Sequence, residues 1–356
     1  MSDLNIPKNF TKSLSNWYLK NKRELPWRET TDPYKIWLSE IILQQTRVQQ
    51  GMPYYLNFVT RYPDVQKLAQ ASEKDVLSLW QGLGYYSRGR NLHKTAGLIV
   101  KEHNGIFPGN YDGLLTLKGI GPYTAAAIAS FAYKERVAVV DGNVYRVLAR
   151  LFGMHEDITQ NASKKVFAAL AKQLIDAAKE PDIHNQAMME FGALHCTPAK
   201  PSCGDCPFAA VCVACRSNEQ HLLPVKSKKT KKQERFFQYF ILQHGSSMLM
   251  KERKEKDIWH GLYEFLLLET DKAETIKTLL KILPELSLDN IVHESKAYKH
   301  VLSHQVLHAR FFVVNISKRL FLTFQKKYGL LPVATAELAD TPKPVLISNF
   351  LKAHNF

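Results

Sequence analysis

Four of the five cysteines in this chain fall within one short stretch, CTPAKPSCGDCPFAAVC, from Cys196 to Cys212, with six, two and five residues between them. A segment made of prolines, small residues and polar groups has little core of its own and needs a cross-link to keep one shape. Disulfides are not expected to supply it. The opening MSDLNIPKNF has no basic patch followed by an apolar run, so a reducing compartment is expected. Four thiolates suit either a tetrahedral zinc ion or an iron–sulfur cluster. Zinc ribbons pair two CxxC knuckles, whereas here only Cys203 and Cys206 form one. Cys215 stands outside the spacing and is read as a spare thiol.

Around this stretch the chain changes character once. From residue 10 to about 215, windows such as PYKIWLSEIILQQTRV, DVLSLWQGL and NASKKVFAALAKQLIDAAKE repeat apolar residues at the helical interval. Breaks carrying Gly and Pro, such as HNGIFPGNYDG, separate them. LPVKSKKTKKQER, residues 223–235, is lysine-rich and reads as an exposed basic linker. Beyond it, FFQYFILQ, SSMLMKER, LYEFLLL and HARFFVVNI have strand length and composition, accompanied by helical DKAETIKTLLKIL and PVLISNFLKA. The expected organisation is a mainly α region over 1–222, a linker over 223–235 and a smaller α+β domain over 236–356. The formal charge of +15 points to an anionic partner, nucleic acid foremost; a basic surface kept for solubility is the plainer alternative. No stretch approaches the ~18 unbroken apolar residues of a membrane helix.

Three motifs carry candidate chemistry. In LKGIGPYTAAAIASFA, residues 117–132, one helix ends near Leu117, Gly119 and Gly121 bracket Ile120, and Pro122 takes the first position of the next helix. Such a corner either simply packs or offers the free N–H groups of a helix start to a phosphate. VVDGNVYRVLARLFG, residues 139–153, delivers Asp141 to another helix start, where capping by Asp141 or Asn143 is the plain reading. YKIWLSEIILQQT, residues 34–46, sets Glu40 among Ile36, Trp37 and Leu43. A carboxyl on an apolar face resists ionisation, so its pKa should rise, as a general acid requires. Glu40 kept uncharged and Asp141 ionised form the pair of contrasting carboxyls used to cleave glycosidic bonds.

The cysteine spacing, the LxGxGxxTA corner and the VDGNVxRVLxR run together resemble the endonuclease III, or helix-hairpin-helix, superfamily of DNA glycosylases. LPWR (25–28), SEIILQQT (39–46) and GLGYYSRGRNLHK (82–94) narrow the resemblance to MutY-type adenine DNA glycosylases, over residues 25–212. It implies the helix-hairpin-helix glycosylase fold: a six-helix barrel over about 29–139 and a cluster subdomain from 1–28 and 140–222. It also implies a [4Fe-4S] cluster on Cys196, Cys203, Cys206 and Cys212, stapling a loop that keeps Lys200 and Arg216 near phosphates. By the same resemblance Gly119 and Gly121 clamp the DNA backbone, Asp141 is the catalytic carboxylate, Asn143 orients it, and Glu40 protonates the leaving base. Tyr123 stands where bifunctional members carry a lysine, which implies a monofunctional enzyme, with Tyr123 assisting near the sugar. Gln45 and Tyr85 match residues that enter the helix beside the lesion. Trp27, Arg28 and Gln186 match contacts to the extruded adenine, although Gln186 also suits a plain helix surface.

GLYEF (261–265) and LSH (302–304) resemble the Nudix-like module with which MutY-type enzymes sense 8-oxoguanine. Ser303 and His304 would then meet the lesion; Leu302 departs from the usual Phe-Ser-His and leaves that contact unassigned. A working Nudix hydrolase needs a glutamate-rich helix for magnesium, and LYEFLLLETDKAETIKTLL provides none, so lesion reading is the expected role. The implied substrate is double-stranded DNA holding adenine opposite 8-oxoguanine or guanine. A monomer without membrane attachment is expected, in a bacterial cytoplasm on nucleoid DNA, with a sliding clamp or mismatch-repair proteins as partners. The rivals are a strand-cutting lyase, which Tyr123 opposes; a mismatch thymine glycosylase or a nucleotide-pool hydrolase; and a non-enzymatic DNA-binding protein, which would need neither Glu40 nor Asp141.

Overall fold

The computed structural model describes residues 6–227, 232–354 and 356. In chain order the helices are α1 (Phe10–Asn21), α2 (Pro33–Leu43), α3 (Val48–Arg61), α4 (Val65–Gln70), α5 (Glu73–Leu79), α6 (Ser87–His103), α7 (Tyr111–Leu115), α8 (Pro122–Tyr133), α9 (Gly142–Phe152), α10 (Asn161–Asp176), α11 (Pro181–Leu194), α12 (Val213–Ser217), α13 (Ile276–Ile282), α14 (Lys318–Tyr328) and α15 (Val345–Ala353). None among the described residues is long and apolar enough to cross a membrane. Packing divides the chain into two units, one of residues 1–70 and 91–228, the other of 71–90 and 229–356.

The first unit is helical. Asp32 caps α2 by accepting from the Tyr34 N–H, with Pro33 at the first helical position. Every residue of α8 from Thr124 to Ser130 is buried, which the small side chains of TAAAIAS permit, and α2 packs against it. α1, α9, α10 and α11 share a second core with Phe208, Ala214 and Leu223 of the cysteine-rich segment. Leu223 opens the stretch expected as an exposed linker, yet it is buried there and its carbonyl accepts from Arg150 Nε at 3.1 Å. The far end of that stretch, Gln233 to Arg235, already belongs to a strand, and residues 228–231 lie outside the described set.

In the second unit the strands are β1 (Gln233–His244), β2 (Ser247–Glu252), β3 (Tyr263–Glu264), β4 (Leu266–Thr270), β5 (Ile291–Glu294), β6 (Tyr298–Val301), β7 (Gln305–Asn315) and β8 (Leu331–Ala334). β1 and β7 run parallel along their whole length, Gln233 opposite Gln305 and Gln243 opposite Asn315. Antiparallel neighbours flank them: β4 and β2 on β1, β5 and β6 on β7, β3 and β8 on β2. Strand residues alternate between faces. Phe237, Tyr239 and Ile241 enter one core with α15, whereas Phe240 and Leu242 enter another with α13 and α14. Burial on both faces explains why FFQYFIL lacks a polar alternation. α14, β5 and β8 were not among the elements expected from the sequence. Nor was the placing of residues 71–90, which the helical region was expected to hold. Ser78 Oγ donates to the Asp340 carbonyl at 3.1 Å, Gln81 Nε2 to Ser348 Oγ at 3.3 Å and the Tyr86 hydroxyl to the Lys343 carbonyl at 3.4 Å.

Candidate active site

A cavity of about 730 Å³ opens in the first unit and is lined by Glu40, Tyr123, Asp141 and Asn143, together with Trp27, Arg28, Gln45 and Gln186. The cavity thus holds eight of the residues singled out from the sequence. Glu40 sits in α2 and is 8% exposed. Burial lifts its pKa to about 7; the hydrogen bond donated by Tyr123 to Oε2 at 2.7 Å and the Arg28 charge oppose the rise, and Asp141 adds to it. Tyr123, itself pushed far up by burial and the neighbouring carboxyls, stays a neutral donor. Glu40 is therefore close to half-protonated at neutral pH.

Asp141 is the N-cap of α9, accepting at Oδ1 from the Asn143 and Val144 N–H groups, both at 2.8 Å, and at Oδ2 from Asn143 Nδ2 at 2.8 Å. Capping and candidate chemistry are thus not alternatives here. Burial pushes its pKa up, and these three bonds together with the Arg146 charge restrain the rise. The contrast expected between the two carboxyls is accordingly one of degree: both are raised, and Asp141 alone has several donors holding its anion. Arg146, 8% exposed, ties this arrangement to the cysteine segment. Its Nη2 donates to Asn143 Oδ1 at 2.8 Å and to the Gly192 carbonyl at 2.6 Å, and its Nε to the Cys196 carbonyl at 2.7 Å.

Two further cavity residues, Glu190 and Arg23, were not singled out from the sequence. Glu190, 1% exposed on α11, receives Arg23 Nε and Nη2 at 2.9 and 2.6 Å and Arg28 Nη1 and Nη2 at 2.9 and 2.8 Å. Burial alone would raise its pKa, but the two guanidinium groups outweigh it and hold the carboxylate at about 2. Arg28 also donates to the Arg23 carbonyl at 3.1 Å. Trp27, in the short turn Pro26–Arg28, packs edge-on to Tyr55 at 5.1 Å. The signal that marked Glu40, a carboxylate on an otherwise apolar helix face, was present for Glu190 in AMMEFGAL as well.

The corner at Gly119 and Gly121 uses its glycines differently. Gly119 has φ 92°, and a Cβ there would run into the Thr95 hydroxyl, which donates to the Lys118 carbonyl at 2.6 Å. Gly121 caps α8 with ordinary φ, and a side chain on it would point into open space in front of the helix start. The first N–H groups of a helix such as α8 have no acceptor within it, a setting suited to a phosphate.

Gln45 and Tyr85 are both non-glycine residues with positive φ, 56° and 48°. Such backbone costs of order 1–3 kcal/mol and collects at functional turns. Both side chains are exposed, Tyr85 by 47%. In the second unit Tyr85 shares a hydrogen bond of 2.7 Å with Ser303 Oγ. Together with His304, Lys232, Asp257 and Trp259 they line a cavity of about 550 Å³. Ser303 and His304 form the tip between β6 and β7, closed by the Leu302 N–H donating to the Gln305 carbonyl at 2.8 Å. Leu302 packs against the core of the α15 face, which accounts for an aliphatic residue there.

Cys196 follows α11, and Cys212 caps α12. With Cys203 and Cys206 they surround a small void walled by Val147, Leu151, Phe191 and Phe208, with Cys215 also on its rim. Burial pushes the Cys206 thiol up to about 11 and raises Cys212, and the nearby cysteine sulfurs add to both shifts. Thiolates gathered there would need a cationic centre among them. Among the described residues no group of three or more His, Cys, Asp or Glu side chains is arranged to hold a metal ion. All four cysteines line one shared void. Arg150, 3% exposed, braces the loop through the Thr197 and Pro198 carbonyls at 2.7 and 2.8 Å.

Residues 38–189 match the family model for HhH-GPD superfamily base excision DNA repair proteins, and residues 238–353 match that of the NUDIX domain. The class is therefore that of DNA glycosylases, hydrolases that remove bases from DNA in base excision repair, here joined to a Nudix-like domain. Among solved structures, a thermostable thymine-DNA glycosylase is 28% identical, with a TM-score of 0.54 over 59% of this chain and 96% of its own. Endonuclease III trapped on DNA shares the fold at 19% identity, with a TM-score of 0.52 over 61% and 99%. The adenine DNA glycosylase of Buchnera aphidicola subsp. Schizaphis graminum is 34% identical over 94% of this chain and 96% of its own length. That of Homo sapiens is 43% identical over 60% of this chain and 41% of the human one. The chain belongs to the adenine DNA glycosylase family, and its substrate is DNA.

Proposed function

We propose that this adenine DNA glycosylase acts on adenine mispaired with 8-oxoguanine or guanine, and that Glu40 and Asp141 carry the chemistry. The observation behind this reading is that a carboxyl lifted to about 7 and one held by three hydrogen bonds line the same cavity. An adenine inside a duplex cannot reach them, so the nucleotide must swing out of the stack. Filling of the gap is assigned to Gln45 and Tyr85, each exposed on a turn of positive φ. Trp27, Arg28 and Gln186 receive the base, and the corner at Gly119 and Gly121 holds a phosphate. Glu40 gives its proton to N7 of adenine, so that the C1′–N9 electron pair departs with a neutral base. Asp141, aligned by Asn143, stabilises the cationic sugar until water adds to C1′ and loses a proton. Tyr123 keeps the Glu40 carboxyl pointed at the base. With Tyr123 in place of an amine nucleophile, the strand is left intact at an abasic site.

Ser303, His304 and Tyr85 read the base opposite the adenine. Cys196, Cys203, Cys206 and Cys212 fit a [4Fe-4S] cluster, which when bound supplies a rigid staple for the loop carrying Lys200 and for α12, which carries Arg216. Replacing Cys206 with alanine is expected to remove iron and visible absorbance from the purified protein; an unchanged iron content would exclude Cys206 as a ligand. A sliding clamp or mismatch-repair proteins on nucleoid DNA remain partners suited to such an enzyme.

One assay tests the whole reading. Duplexes holding A·8-oxoguanine, A·G, T·G or oxidised pyrimidines are incubated with the protein and divided before and after alkali. Breaks at adenine only after alkali, strongest opposite 8-oxoguanine, are expected. Breaks without alkali, or release of thymine in preference to adenine, would overturn it.

A further inference from the structure

Tyr18, on α1, does not line the cavity, yet it touches two of the residues that do. It is 1% exposed, its hydroxyl donates to Gln186 Oε1 at 2.6 Å, and the Arg28 guanidinium lies over its ring, 5.6 Å from the centroid. Arg28 is held in turn by Glu190, so the ring is boxed in and its hydroxyl has one direction in which to donate. No second side-chain partner for that hydroxyl occurs among the described residues.

The consequence lies in the symmetry of a carboxamide. Rotating the Gln186 amide by half a turn leaves its shape unchanged but exchanges an acceptor for a donor. The two orientations suit opposite purines. Adenine presents a donor at its 6-amino group and an acceptor at N1; hypoxanthine and guanine present an acceptor at O6 and a donor at N1–H. In the observed orientation Oε1 uses one lone pair for Tyr18 and keeps the other for a 6-amino group, while Nε2 is free to donate to N1. Turning the amide over would set its NH₂ against the phenol and leave a buried hydroxyl proton with no acceptor, which is costly.

We infer that Tyr18 is a specificity-determining positioning residue: it fixes Gln186 in the orientation that accepts a 6-aminopurine and refuses a 6-oxopurine. This rests on the reading that Gln186 meets the extruded base. Tyr18 touches no substrate atom and acts only through the amide.

The test compares single-turnover release of adenine and of hypoxanthine, each opposite the same 8-oxoguanine, by the native full-length protein and by Tyr18→Phe, Gln186→Ala and the double variant. Tyr18→Phe keeps the ring, its packing and the contact with Arg28. It is expected to lower the adenine-to-hypoxanthine rate ratio by about ten- to a hundredfold, the range set by one lost buried hydrogen bond. The pH profile of adenine release should not move, and the variant should add nothing once Gln186 is alanine. A native ratio in Tyr18→Phe, or effects of the two variants that simply multiply, would overturn the inference. If Gln186→Ala itself keeps the native ratio, Gln186 does not read the base, and the underlying assignment fails as well. If it lowers the ratio while Tyr18→Phe does not, only the role of Tyr18 is lost. Should Tyr18→Phe not fold, Gln186→Glu serves instead: a carboxylate still accepts from Tyr18 but has no donor end, so the ratio must drop, and an unchanged ratio counts against the inference.

Discussion

Glu40→Gln is expected to bind an adenine mispair as the native protein does and to release adenine about 10²–10⁴ times more slowly, the usual contribution of a general acid. The amide keeps the shape of the carboxyl and can still accept from Tyr123, whose hydroxyl lies 2.7 Å from Oε2 in the native protein. What it lacks is a proton for N7. Single-turnover kinetics above the dissociation constant separate the two effects. Turnover close to native would remove Glu40 from the mechanism. The same carboxyl sets a pH dependence: with its pKa at about 7, the protonated fraction and hence the rate should decline as pH rises through that value. Stability should fall over the same range. A carboxyl whose pKa is raised on folding contributes most below its unfolded value, and that contribution is lost as pH climbs to about 7, by about 3 kcal/mol in all. Glutamine mimics the protonated form, so Glu40→Gln should be more stable than the native chain at pH 8 and no more stable near pH 4. Equal stability at both would show that the native carboxyl is not suppressed by burial.

The second large effect is one of structure. Removing the Glu190 carboxylate leaves Arg23 and Arg28 facing each other without their shared anion. Breaking a buried ion pair from one side typically costs 3–5 kcal/mol. The Arg23 side chain is 36% exposed and water can partly restore its solvation, whereas Arg28 is only 14% exposed and bears most of the loss. The lower end, about 3 kcal/mol, is therefore expected for Glu190→Ala, or on the order of 10 °C in Tm. The pH dependence has a definite sign. Held at about 2, well below its ordinary value of 4.5, Glu190 contributes stability above pH 4.5 that is lost as pH falls towards 2. The alanine variant should lack that acid limb. A variant as stable as the native chain at neutral pH would mean that the arginines find other partners at no cost.

Much of the site was legible because its residues violate their surroundings. A glutamate among Ile36, Trp37 and Leu43, and four cysteines crowded into one loop, are each improbable unless the fold uses them. Other features left no such trace. PYKIWLSEIILQQTRV has a continuous helical pattern and no glycine or proline between Trp37 and Val48, yet α2 stops at Leu43 and Gln45 turns left-handed. The pattern records which positions are apolar and is silent on where packing requires the chain to turn. Nothing local to Tyr18 says that its hydroxyl will meet Gln186, 168 positions away.

From the linear chain alone come the periodicities that make one half helical and the other mixed, the thiol spacing, and the local chemistry of Asp141 at a helix start and Glu40 on an apolar face. Those are properties of neighbours within a turn or two, where side-chain spacing follows directly from backbone geometry. Only the folded molecule decided that Glu40 and Asp141 open onto one cavity, that two arginines lean on Glu190, and that residues 71–90 group with residues 229–356 rather than with the helices beside them in sequence. Contacts between distant segments are selected by shape and charge in three dimensions, and no repeat in the sequence encodes them.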